Sequence, residues 1–118
     1  MGEDNRNVEE KLAALKRNFH AKLAVNLEGM AASLALAGAP GDEPARKSAL
    51  RELEMQAHKM CGTAGTFGMD DLTDPARALE EACRQLNEAG RLPAPEEHAS
   101  MARVFAQLRE AYAKVPPP

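Results

Sequence analysis

Apolar residues recur along the first third of the chain at Val8, Leu12, Leu15, Phe19, Leu23, Leu27, Met30 and Leu34, in steps of 4, 3, 4, 4, 4, 3 and 4. That spacing holds them on one face of a 3.6-residue helix, so a helix is predicted from about Asn7 to Leu36. Asn7 is a candidate N-cap, and Glu9 and Glu10 suit the positive end of the helix dipole. Asn26 and Gly29 are weak helix formers in its middle and predict a kink or two pieces. Gly38-Ala39-Pro40-Gly41-Asp42 breaks the pattern. The first segment is long, and its N-terminal half has three placements open: packed in the bundle, extended as an arm, or set against a partner.

A second helix is predicted from about Glu43 to Phe67, with Pro44 in its first turn and Gly68 as its stop. Leu50, Leu53, Ala57, Met60, Ala64 and Phe67 alternate steps of 3 and 4, the seam of a bundle helix. A third runs from about Thr73, its candidate cap, to Ala89, with Ala76, Leu79, Cys83 and Leu86 inward and Gly90 at its end. The fourth follows Leu92-Pro93-Ala94-Pro95 and carries Met101, Val104, Phe105, Leu108, Ala111 and Tyr112. Short connections make neighbouring helices antiparallel. The expected fold is all-α, an antiparallel up-down four-helix bundle over residues 7–115, with a flexible start at 1–6 and a disordered Pro tail at 116–118.

Composition supports this and removes several functions. With 118 residues the chain makes one domain. Four Val, three Thr, no Ile and 3% aromatics disfavour a β-sandwich or barrel. A net charge of −3 leaves no basic excess for nucleic acid. No apolar run is long enough to span a membrane, and the acidic start is no secretory signal. Cys61 and Cys83 form no disulfide framework and read as reduced thiols of a cytoplasmic protein. In the hairpin of the second and third helices they fall about one turn out of register, so no bond between them is expected. His20, His58 and His98 sit on three segments without metal-ligand spacing. His20 and His98 are expected to face solvent, as are Arg46, Lys47 and Arg51 among Glu43, Glu52 and Glu54.

One stretch departs from helix rules. Ala57-His58-Lys59-Met60-Cys61-Gly62-Thr63-Ala64-Gly65-Thr66-Phe67-Gly68 places Gly62 and Gly65 inside a strong helix. Each lowers helix stability by about 1 kcal/mol relative to Ala. They lie four and seven residues beyond His58, so they bare the helix surface beside it. Cys61, three beyond, adds a small side chain. The competing explanation is close helix packing inside the bundle, and the two are compatible if Gly65 serves a crossing helix. His58 follows the seam residue Ala57 by about 100°, which sets it at the seam edge. A histidine in water is mostly neutral near physiological pH, and its unprotonated nitrogen is a nucleophile. A flat surface of small residues around it suits a docking protein. Met55, three before His58, borders that surface.

His58, Met60, Gly62, the Phe67-Gly68 pair and Leu79-Glu80 together resemble the motif of the histidine-containing phosphotransfer (HPt) domain. The resemblance covers roughly Leu12 to Arg84. Many members carry Lys three residues after the histidine, where this chain has Cys61. The resemblance implies a phosphocarrier in a two-component phosphorelay. His58 would accept a phosphoryl group from a receiver-domain aspartyl phosphate and pass it to another receiver. Lys59, Cys61 and Gly62 would lie near the phosphate, and Glu54, Met55, Gly62 and Gly65 would meet the partner. The implied partners are response-regulator receiver domains and a hybrid sensor histidine kinase. No cofactor of its own is implied, since Mg²⁺ would come with the receiver. The chain has no G-x-x-x-x-G-K-[ST] loop, so neither an ATP site nor autokinase activity is expected. A monomer is expected. Two other readings stay open: a receiver- or kinase-docking adaptor or inhibitor whose histidine is not phosphorylated, and a structural bundle that self-associates through an exposed seam.

Overall fold

A computed structural model describes residues 2–116, with side chains from Arg6 onward. Parts of the expected flexible start and Pro tail, Met1, Pro117 and Pro118, lie outside the described residues. The helices are α1 (Gly2–Gly38), α2 (Glu43–Thr66), α3 (Asp70–Ala89) and α4 (Pro95–Ala113). Sequence neighbours pack side by side, and α4 closes the ring against α1. The described residues form an all-α four-helix bundle.

The predicted stripes meet in one core. Leu23, Met30, Leu50, Leu53, Met60, Leu72, Leu79 and Leu108 are fully buried. Burial of this kind contributes roughly 1.5–3 kcal/mol per large side chain. At one end Phe19 of α1 stacks on Phe67, just past α2, with ring centroids 4.2 Å apart. That stack fixes where α1 enters the bundle. Below it the apolar stripe of α1 is buried against its neighbours; above it Val8, Leu12 and Leu15 stand 56%, 51% and 52% exposed. This half of α1 is therefore not packed in its own bundle and extends as an arm. It helps give the molecule its 60 × 22 × 20 Å extents.

Several local expectations need correction. α1 runs through Asn7, which is therefore no cap, and it is not broken at Gly29. A Cβ at Gly29 would come within 3.0 Å of Gln56 Nε2 on α2. Gly29 thus marks a close approach of α2, and packing outweighs its poor propensity. α3 begins at Asp70, so Thr73 is a buried residue one turn inside the helix, and its hydroxyl donates to the Met69 carbonyl. Asp70 and Asp71 place their negative charge at the positive end of α3 instead.

Two histidines expected in solvent are half-buried. His98 Nε2–H donates to the Leu34 carbonyl at 2.8 Å, and its ring fills the space a Cβ at Gly38 would need. His20 lies against Tyr112, with ring centroids 5.2 Å apart. Arg46 is also half-buried, and its guanidinium donates twice to the Ala37 carbonyl, satisfying the C-terminal end of α1. The predicted stops at Gly68 and Gly90 hold. Both adopt φ of +69°, a left-handed conformation that other residues enter at a cost.

Candidate functional site

The site lies on the α2/α3 seam. Leu53, Ala57, Met60 and Ala64 turn one face of α2 into the core, which leaves His58 on the flank facing α3. Its side chain is 76% exposed. From α3, Leu79 and Cys83 point inward, so Glu80 rises at the same flank. His58 Nδ1–H donates to Glu80 Oε1 at 2.9 Å. The Glu80 side chain is only 19% exposed, so the carboxylate is the fixed member of the pair. A carboxylate accepts, so this contact assigns the ring proton to Nδ1. In a neutral ring the lone pair then sits on Nε2, the nitrogen that Glu80 does not engage.

An open groove of about 380 Å³ runs beside the imidazole, lined by His58, Cys61, Gly62, Arg77, Glu80, Glu81 and Arg84. Arg84 pairs with Glu81 along one rim. Arg77 stands exposed two turns earlier on the same helix. The groove therefore holds two guanidinium groups where Cys61 contributes no charge. Cys61 is half-buried, and Cys83 is buried in the core below. Burial pushes the Cys83 thiol up to about 12, and the Glu54 carboxylate adds to the rise. Neither cysteine is disulfide-bonded.

Gly62 and Gly65 are exposed, and a Cβ built on either meets no atom within 4 Å. Close packing inside the bundle does not account for them. They leave a strip of bare helix running from His58 toward the end of α2. Met55, 53% exposed, lies one turn before His58. Lys59 is exposed, and its carbonyl accepts from the Thr63 hydroxyl. Glu54 faces α3 rather than open solvent, where it accepts from Asn87 Nδ2 at 2.7 Å.

In the sequence Glu80 stands only as part of the Leu79-Glu80 motif, and Arg77, Glu81 and Arg84 are unmarked as site residues. A signal for them existed. Arg77, Glu80, Glu81 and Arg84 follow i, i+3, i+4, i+7 spacing, one polar face of α3. That face becomes informative only once α3 is docked beside His58. Among the described residues no group of three or more His, Cys, Asp or Glu converges to hold a metal ion, and no helix is long and apolar enough to cross a membrane.

The Hpt domain family model matches residues 6–115, nearly the whole chain. No curated protein and no solved structure matched it. The chain belongs to the Hpt domain family, whose members take part in phosphotransfer within two-component signalling and interact with receiver domains and kinases.

Proposed function

We propose that this protein is a phosphocarrier in which His58 is the phosphorylated residue, taking the phosphoryl group from one receiver domain and delivering it to another. The observation that carries this reading is the exposed imidazole held through Nδ1 by a largely covered carboxylate, beside a groove whose α3 wall carries Arg77 and Arg84. Nε2 attacks the phosphorus of the receiver's aspartyl phosphate. The N–P bond forms as the bond from phosphorus to the aspartate oxygen breaks, and the aspartate leaves as carboxylate. The ring gains positive charge as it bonds phosphorus, and Glu80 stabilises that charge through the Nδ1–H. Transfer to the second receiver is the same step reversed.

Arg77 and Arg84 are the groups placed to meet the phosphoryl oxygens, taking the part that a lysine at the Cys61 position would play. The bare strip at Gly62 and Gly65, bordered by Met55, gives a receiver helix a close approach. Mg²⁺ and the acidic pocket belong to the receiver in this reading, as does the chemistry of its aspartate.

The test is transfer from a labelled phospho-receiver in the presence of Mg²⁺. Alkali-stable, acid-labile label on the native chain and none on His58→Gln supports the phosphocarrier. Binding of receivers without label on the native chain would favour a docking adaptor instead.

A further inference from the structure

The arm of α1 has a feature that the phosphotransfer site does not use. Val8, Leu12 and Leu15 continue the face that Phe19, Leu23 and Leu27 present to the core, yet none of the described residues covers them. The helix face that seals the bundle runs on into solvent for about three turns. At its base lies an apolar hollow of about 320 Å³, lined in part by Lys16, Phe19, Phe67, Met69 and Val115. Stripe and hollow make a step, with the arm as its wall and the bundle end as its floor.

The charge along the arm selects an occupant. By helical spacing Glu9 flanks the stripe near its start, and Lys11 and Lys16 flank it nearer its base. An arm of this design complements its own copy laid antiparallel, since Glu9 of one copy then meets Lys16 of the other. Laid parallel, like charge would face like charge. Sterics agree. The stripe faces the side on which its own bundle lies, so a parallel partner would bring its bundle into occupied space. An antiparallel partner carries its bundle off the far end of the arm.

We infer that this protein forms a homodimer through antiparallel pairing of the α1 arms, with Val8, Leu12 and Leu15 of both copies in the shared seam. The two phosphotransfer sites stay on the flanks of separate bundles, open to receivers. The interface is small and ion-paired, so the dimer is concentration-dependent and loosens in salt.

Sedimentation equilibrium of the full chain tests this over about 1–500 µM, a range suited to a small interface. The expected mass rises toward twice the 12.7 kDa chain. Leu12→Asp with Leu15→Asp should hold it at one chain, with the helical circular-dichroism signal largely kept. Lys16→Glu should also weaken pairing, and adding Glu9→Lys to that variant should restore it. A single-chain mass across the range overturns the dimer. So does a dimer that survives Leu12→Asp with Leu15→Asp. A monomer whose receiver affinity falls with those two substitutions would assign the stripe to the receiver instead.

Discussion

Glu80 Oε1 accepts the Nδ1–H of His58 at 2.9 Å, joining the middle of α2 to the middle of α3 across 22 positions of chain. The imidazole is exposed while its partner is largely covered, so the bond orients a ring that would otherwise rotate freely. Removing it should slow the chemistry without unfolding the bundle. Glu80→Ala is expected to lower the rate of phosphotransfer about 10- to 100-fold, the equivalent of roughly 1.5–3 kcal/mol for a charge-assisted hydrogen bond. Nitrogen-15 NMR of His58 supplies the second readout. The native ring should show the Nδ1–H tautomer, and Glu80→Ala should show a mixture. An unchanged rate with an unchanged tautomer would remove Glu80 from the mechanism.

Gly62 separates folding from docking. A Cβ there meets nothing, so Gly62→Ala should stabilise the helix by up to about 1 kcal/mol and raise the melting temperature. Gly62→Leu should remain folded and yet lose receiver affinity, by about 10-fold or more, because the added side chain stands where the partner helix approaches. Calorimetric unfolding and receiver titration distinguish the two effects. A large loss of stability in Gly62→Ala would mean that the glycine serves the bundle.

Arg77 and Arg84 line the groove beside His58. Arg77→Ala and Arg84→Ala are each expected to change stability by less than about 0.5 kcal/mol, as exposed positions usually do. Their effect should appear in phosphoryl transfer, with the double variant slower than either single one. Stopped-flow or quench kinetics with a labelled receiver give the comparison. Rates equal to the native protein would place charge compensation wholly on the receiver.

The α3–α4 connection carries a pH-dependent element. The Arg91 guanidinium forks onto Glu97 at 2.7 and 2.8 Å, and the Glu97 carboxylate also accepts from the Ala94 backbone N–H at the start of α4. Arg91 first, and then that backbone bond, hold the carboxyl down at about 2 from an ordinary 4.5. A lowered folded value means the contribution is complete above pH 4.5 and is lost as pH falls toward 2. Glu97→Gln should flatten the fall in melting temperature across that window. Parallel curves for the two proteins would mean the pair is equally formed in the unfolded chain.

Core and site should respond oppositely to truncation. Leu53 is fully buried, and Leu53→Ala is expected to destabilise the bundle by about 2–5 kcal/mol. His58→Gln removes an exposed ring and should leave stability within about 0.5 kcal/mol of native while abolishing transfer. Urea unfolding of both variants checks the pair. A loss of several kcal/mol in His58→Gln would make that residue structural.

The sequence by itself determined the four helices, most of their core faces and the bare strip beside His58, because each is written in local order. A period of 3.6 is visible in a single segment, glycine stops follow from φ, and two glycines four and seven residues past His58 lie on the same helix. Its errors arose where packing overrode propensity, as at Gly29, or where a cap was assigned one turn late, as at Thr73. It also assigned His98 and Arg46 to solvent, because nothing local shows that a distant carbonyl needs a donor. The tertiary structure alone decided the partnership of His58 with Glu80, the placement of Arg77 and Arg84 beside it, and the fate of Val8, Leu12 and Leu15. Those three share the periodicity of the buried stripe, but the bundle ends at Phe19 and Phe67. Burial depends on whether another helix is there to cover a face, and no pattern within one helix states where its neighbours stop.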